Sequence, residues 1–300
     1  VVPRGFLQVA SKTKTDAQPA IATGSSGRLE LAEWVASSDN PLTSRVMVNR
    51  IWHHLIGNGL VRTTDNFGMM GEMPSHAPLL DWLAHQFVVD QWSVKKMIRR
   101  IVMSRTYRLA STGESVGWAT DPENRLIWRG NRKRLTAEAI RDTILSVSGQ
   151  LSMQQGGPTI RKFSQYDWGY EFNTIRRSVY VPLFRNTLLE GLETFDVANP
   201  NVVSGRRSET TLPTQALYMM NSPFVNAEAE RAGERIIRSG ATDAERVRLV
   251  YRLALGREPS AVEVDVVMKF IEESKTGEKS GAWSALVHSL FGSVDFRHLD

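Results

Sequence analysis

The stretch SHAPLLDWLAHQFVVDQWSVKKMIRRIV, residues 75–102, decides the fold class. Apolar residues recur in it at spacings of three and four, the period of one helical face. Polar residues interrupt the pattern at 90–93, and Ser75 and Ser93 stand where helix N-caps are expected. The stretch therefore predicts two consecutive amphipathic helices, whose apolar faces must pack against further elements.

Similar patterns extend outward from this pair in both directions. Helical periodicity marks residues 29–36, 42–56 and 137–151, and it returns from residue 214 to residue 291. Between these regions, the alternating segment from Arg177 to Val181 predicts a short strand that pairs with the segment from Thr159 to Phe163. The sequence thus predicts a mostly α, multi-helix globular domain with a small β-hairpin insertion.

The composition of the first 27 residues differs from that of the rest. Residues 8–27 are rich in Ser, Thr, Lys, Ala and Gly, as linkers are. This composition predicts a linker; because the chain starts without a methionine, we expect residues 1–27 to be that linker and the tail of an upstream domain. Residues 28–300 are expected to form the helical domain, with subdivision considered near 115–120 and near 240.

The overall composition excludes several kinds of chemistry. The chain has 300 residues, a net charge of +5 and no cysteine. Disulfides, thiolate nucleophiles, thiolate-bound zinc, iron–sulfur clusters and covalent c-type haem are therefore excluded within it, and we expect it to hold no cofactor. No apolar run approaches the roughly 18 residues of a membrane span, so we expect a soluble chain. The basic stretch at 125–134 is typical of a solvated surface, and nucleic acid is the weakest candidate partner.

A first group of candidate functional residues surrounds the loop at 62–73. Imidazole and carboxylate side chains together suit acid–base chemistry near neutral pH, or binding of a divalent metal. The zinc spacing HExxH is absent, so no metal ligands are assigned; a structural role for the histidines is the alternative reading. The catalytic candidates are Asn49, Arg50, His54, Asp65 and His76.

A second group lies in polar segments rich in arginine and asparagine. Guanidinium forks and amide groups suit an anionic or polyhydroxylated ligand, such as a sulfated or carboxylated glycan. The alternative is that these side chains fasten loops by bonding to exposed carbonyl groups. The ligand-binding candidates are Arg177, Arg206, Arg207 and Asn221.

The ordered motifs of this chain resemble the planctomycete PSD1 family, also called DUF1553, a family of unknown function. The matching segments are LAEW (31–34), DNPLT (39–43), RVMVNRIW (45–52), GLVRT (59–63), DNFG (65–68), PSH (74–76), LLDWLA (79–84), DPENRL (121–126), RLTAE (134–138), RSVY (177–180), GRR (205–207), PTQAL (213–217), NSPF (221–224) and LALGR (253–257). The chain departs from the family pattern at His53, which stands where a glutamine is usual.

The resemblance implies a setting rather than a reaction. Proteins of this family are typically large and extracytoplasmic, periplasmic or secreted, with a DUF1549 domain upstream and often a cytochrome c domain that carries haem. It implies no catalytic residue. Two hypotheses therefore stand side by side: a binding or scaffolding module for an anionic polysaccharide or a redox partner, and a metal-dependent or acid–base hydrolase centred on His54, His76 and Asp65.

Overall fold

A computed structural model describes residues 4–11, 20–112, 116–160, 170–240, 242–274 and 279–299. Its contacts divide the chain into two compact units, residues 1–132 and residues 133–299. The predicted domain boundaries are not tested by this division and stay a prediction. Of the predicted linker, residues 1–3 and 12–19 lie outside the described residues, whereas Phe6 stacks on Trp34 with ring centroids 5.0 Å apart.

The first unit is built from helices joined by loops and short turns. They are α1 (Arg28–Ala36), α2 (Pro41–Ile56), α3 (Ala77–Val89), α4 (Val94–Val102) and α5 (Gly117–Thr120), with 3-10 turns at Gln8–Ala10 and Thr106–Arg108. The two helices predicted from residues 75–102 are α3 and α4, and their apolar faces pack on α2. The buried side chains of this core include Val48, Trp52, Leu83, Phe87 and Met97.

The caps of α3 and α4 follow different chemistry. Ser93 accepts a hydrogen bond from the backbone N–H of Lys96, as the sequence predicts. At α3 the expected cap was wrong, because the residue after Ser75 takes the role: Nδ1 of His76 accepts from the N–H of Leu79 at 3.1 Å. An imidazole nitrogen thus replaces the usual hydroxyl oxygen as the acceptor.

The second unit contains more helices than the first within the described residues, and both described strands. Its elements are β1 (Lys133–Arg134), α6 (Ala137–Ser148), α7 (Glu190–Thr194), α8 (Pro213–Asn221), α9 (Pro223–Ile237), α10 (Asp243–Leu255), α11 (Ala261–Glu273), α12 (Lys279–Gly292) and β2 (His298–Leu299), with 3-10 turns at Ser178–Tyr180 and Asp295–Arg297. The predicted mostly α fold with a small antiparallel β element is confirmed.

The close approach of α9 and α12 organises the core of this unit. A Cβ added at Gly233 would lie 2.7 Å from the backbone nitrogen of Ser284, so only glycine allows the two helices to come so near. Ala229, Ala232 and Ile236 share the buried side of α9 with Gly233, and Trp283 is buried from α12. The small side chains on α9 therefore leave room for the large ones on α12.

The position of the predicted β-hairpin was wrong. Residues Ser178–Tyr180 form a 3-10 turn because the Asp142 carboxylate accepts hydrogen bonds from both the N–H and the hydroxyl of Ser178. The expected pairing segment, residues 159–163, lies partly outside the described residues. The antiparallel strands are instead β1 and β2, which join the two ends of the second unit with Arg134 opposite His298.

No helix in the described part of the chain combines the length and the apolar character that crossing a membrane requires.

A buried ion pair fastens β1 to the end of α7. Nη2 of Arg134 donates to the Asp196 carboxylate at 2.8 Å, and the N–H and hydroxyl of Thr210 donate to the same carboxylate. Partial burial alone would raise the pKa of Asp196, but the hydrogen bonds from Thr210 and Arg134 outweigh it and hold the pKa below its ordinary value.

We expect Asp196→Asn to lower the free energy of unfolding at neutral pH by about 2 kcal/mol, because a neutral amide loses charge-assisted hydrogen bonds. A carboxyl with a lowered folded-state pKa stabilises above its unfolded pKa and loses that contribution as pH falls through the folded value. Denaturant unfolding should therefore show the difference between wild type and variant shrinking in acid. Asp265→Asn, at an exposed site on α11, is the control and should match wild type throughout; equal stability of Asp196→Asn and wild type at neutral pH would contradict the prediction.

Candidate functional site

Asn49 is a structural residue of the first unit. Its side chain is fully buried, Nδ2 donates to the carbonyl of Val61 at 2.9 Å, and Oδ1 accepts from the N–H of Val61 at 2.9 Å. The amide therefore satisfies both backbone groups of a residue twelve positions away, as a neighbouring strand would. A Cβ at Gly59 would lie 2.9 Å from Nδ2 of Asn49, so glycine keeps this contact open.

The other residues of the first candidate group lie on the surface. Arg50, His54, Asp65 and His76 are exposed, and His76 uses Nδ1 to cap α3. The rings of His53 and His54 approach to 5.4 Å between centroids, at an interplanar angle of 56°. Within the described ranges, no three His, Asp or Glu side chains form a group that could hold a metal ion. The geometry thus offers no support for a metal-dependent site around these residues.

The three arginines of the second candidate group lie on loops that two carboxylates of α6 anchor. Nη1 of Arg207 donates to both carboxylate oxygens of Glu138, at 2.9 and 2.8 Å, and Asp142 binds Ser178 as described above. Burial would raise the pKa of Glu138, but the hydrogen bond from Arg207 contributes to a net lowering. Residues 138 and 142 are one helical turn apart on one face. The loops at 174–181 and 204–210 are therefore attached to adjacent turns of the same helix.

The arginines of these loops divide into two roles. Arg207 attaches its loop to α6, which is the structural alternative to ligand binding that the sequence also allows. Arg177 and Arg206 are exposed, and among the described residues neither side chain has a hydrogen bond or an ion pair. Asn221, the remaining candidate, is exposed at the last residue of α8. The two loops thus present two guanidinium groups whose hydrogen-bond donors are available.

Two buried arginines, Arg141 and Arg176, hold the loop at 174–181 from inside. Arg141 of α6 donates to the carbonyls of Thr174 and Arg176 and to the hydroxyl of Ser178. Arg176 donates in turn to the carbonyls at 156, 157 and 158, and its guanidinium lies 5.0 Å from the ring centroid of Tyr180. Burial lowers the pKa of Arg141, and the nearby Asp142 partly opposes this effect.

A cavity of about 510 Å³ lies between α6, the segment at 172–175, the start of α7 and the junction of α8 and α9. Phe172, Phe195, Tyr218 and Phe224 line it together with isoleucines of α6. Glu228 of α9 reaches the same space with only 2% of its surface exposed, and its carboxylate accepts from Ser148 and pairs with Arg231. This cavity was not among the candidates that the sequence suggests.

A signal for this cavity was nevertheless present in the sequence. Glu228 belongs to the stripe of α9 that also contains Val225, Ala229, Ala232 and Ile236, at spacings of one to four residues. A charged residue inside an apolar stripe must find a partner when the stripe is buried. Arg141, directly after Ile140 on α6, has the same property.

These features define a mostly helical protein of two compact units, of which the second combines a ligand-sized cavity with arginine-bearing loops on one helix. The family model PSD1, described as a protein of unknown function (DUF1553), matches residues 27–271. The chain belongs to this family, as its motifs predicted. No curated protein and no solved structure matches the chain.

We expect Asn49→Ala to lower the free energy of unfolding by about 3 kcal/mol, because it leaves the N–H and the carbonyl of Val61 buried without partners. Arg50→Ala, at the exposed neighbouring position, should stay within about 0.5 kcal/mol of wild type. Denaturant unfolding followed by tryptophan fluorescence measures both. If Asn49→Ala were as stable as wild type, the structural assignment of this residue would be wrong.

Proposed function

We propose that the chain is a binding module, and that the two loops on α6 bind an anionic polysaccharide through Arg177 and Arg206. The observation that carries the proposal is that Glu138 and Asp142 anchor both loops one helical turn apart, while these two guanidinium groups stay exposed and unpaired within the described residues. Cations held on fixed loops bind anions at a smaller entropic cost than cations on free chains.

The surroundings of the two arginines favour a polymer over a small ion. Val179 lies two residues from Arg177 with 69% of its surface exposed, and Val203 is fully exposed three residues before Arg206. Sugar rings present apolar C–H faces as well as acidic substituents. A sulfated or carboxylated glycan can therefore contact the valines and pair with the arginines, whereas a small inorganic anion makes only the second contact.

The proposal places the module outside the cytoplasm, next to an upstream DUF1549-like domain and in some proteins a cytochrome c domain. The family resemblance supports this setting. Because the chain contains no cysteine, any covalent attachment of haem would belong to a different domain. The hydrolase alternative has no specific observation in its favour.

We expect the double variant Arg177→Ala/Arg206→Ala to bind heparin and alginate at least about tenfold more weakly than wild type, because two charge-assisted contacts are lost. Titration calorimetry at low and moderate salt measures the affinity, and a smaller salt dependence of the double variant would show that these charges carry the binding.

The controls distinguish the loss of a specific binding site from a general effect of the net charge. Arg248→Ala removes one exposed positive charge from α10, outside the two loops, and should leave the affinity within about twofold of wild type. Dextran, an uncharged glycan, should not bind. Binding by none of the anionic glycans, or equal loss in Arg248→Ala and in the double variant, would refute the proposal.

A further inference from the structure

We propose that the cavity of the second unit binds a small, uncharged, ring-containing molecule and prefers one that carries a hydroxyl or carbonyl group. The loop at 174–181 contributes Thr174 and Ile175 to the lining of this cavity, but the exposed Arg177 and Arg206 do not line it. The proposal does not depend on the polysaccharide proposal. It rests on the size of the cavity, the kinds of side chain that line it, and the way its charges are already compensated.

The size and lining match a small organic ligand. A volume of about 510 Å³ lies within the range of ordinary small-molecule pockets, and such pockets are mainly apolar with a few polar groups. The rings of Phe195 and Tyr218 stand edge to face, with centroids 5.9 Å apart and an interplanar angle of 83°. Flat apolar walls of this kind favour planar or alicyclic rings. Further apolar walls come from Ile140, Ile144, Phe172, Leu189 and Phe224.

The charges in the cavity argue against a charged ligand. Arg141 donates to three groups of the segment at 174–178, and Glu228 is bound by Ser148 and Arg231. Since these two buried charges are used within the protein, a ligand anion buried beside them would lose its hydration without gaining a free counter-charge. Glu190, an exposed acid in the lining, further disfavours anions.

Tyr218 supplies a polar group for orientation. Its hydroxyl lies against the backbone of α7, because a Cβ at Gly191 would lie 2.5 Å from it, and Ser222 lines the same cavity. Burial raises the pKa of Tyr218 above its ordinary value, so the hydroxyl keeps its proton at neutral pH. A phenol can donate one hydrogen bond and accept others, so it suits a hydroxyl or carbonyl group of the ligand.

The first experiment uses the fluorescent probe N-phenyl-1-naphthylamine on the full chain. We expect saturable binding of one molecule per chain, with about tenfold weaker binding of 1-anilinonaphthalene-8-sulfonate, which has the same rings and a negative charge. No saturable binding of the uncharged probe, or tighter binding of the sulfonate, would overturn the proposal.

The second experiment places the probe in the cavity. Ala137 lines the cavity and Ala139 lies on the same helix without lining it. Ala137→Leu should weaken probe binding about tenfold by occupying the space, whereas Ala139→Leu should stay within about twofold of wild type. Circular dichroism checks that both variants fold.

Where Ala137→Leu does not fold, Phe224→Ala removes a half-buried wall and should weaken binding and shift the probe emission to the red. Unchanged binding in whichever of these variants folds would place the probe elsewhere and overturn the proposal.

The third experiment tests the polar group. In competition with the probe, 1-naphthol should bind about five times more tightly than naphthalene to wild type, and Tyr218→Phe should remove most of that preference. An unchanged preference in Tyr218→Phe would overturn the assigned role of the hydroxyl. Probe binding should be the same in wild type and in Arg177→Ala/Arg206→Ala, so failure of this proposal and failure of the polysaccharide proposal can be told apart.

Discussion

The burial of Arg141 is the constraint on which the functional half of the second unit depends. A guanidinium group inside a protein must find acceptors for its donors, since leaving them unpaired costs more than the arginine could contribute by packing. Arg141 finds them in the carbonyls of Thr174 and Arg176 and in the Ser178 hydroxyl. The segment at 172–178 therefore has to lie along α6, where it forms one wall of the cavity and presents Arg177 to solvent.

Helix α6 consequently serves three environments with different residues. Ile140 and Ile144 belong to the apolar core, and Arg141 bonds the buried backbone of the loop at 174–181. Asp142 anchors the same loop, and Glu138 anchors the loop at 204–210. The two proposed sites differ in chemistry because of this division. On the exposed side, Arg177 and Arg206 lack partners within the described residues. At the cavity, Arg141 is paired with Asp142 and Glu228 with Arg231. One helix can thus contribute to two sites: an anionic polymer is proposed to bind at the exposed loops, and an uncharged ring in the cavity.

Helices were predictable wherever one periodic pattern dominated the sequence. The helices α3 and α4 follow from apolar spacing within residues 75–102, and Ser93 follows from its capping chemistry. The strand expected at 177–181 failed for a different reason: local alternation favoured extended backbone, but the carboxylate of Asp142, some 36 residues earlier, bonds Ser178 into a 3-10 turn. Asn49 was a catalytic candidate because the sequence cannot show that its amide nitrogen and oxygen both form hydrogen bonds with the backbone of Val61.

The sequence by itself determined the helical fold class, the family and the absence of thiol chemistry, because these depend on local periodicity, ordered motifs and composition. Only the tertiary structure decided which polar residues are available. Arg177 and Arg207 are the same residue type in similar polar segments, yet one is unpaired among the described residues and the other is bound to Glu138. Glu228 interrupts an apolar stripe in the sequence, but only the fold shows that it is buried beside a cavity. The physical reason is that hydrogen-bond partners far apart in the chain decide whether a charge serves the fold or remains for a ligand.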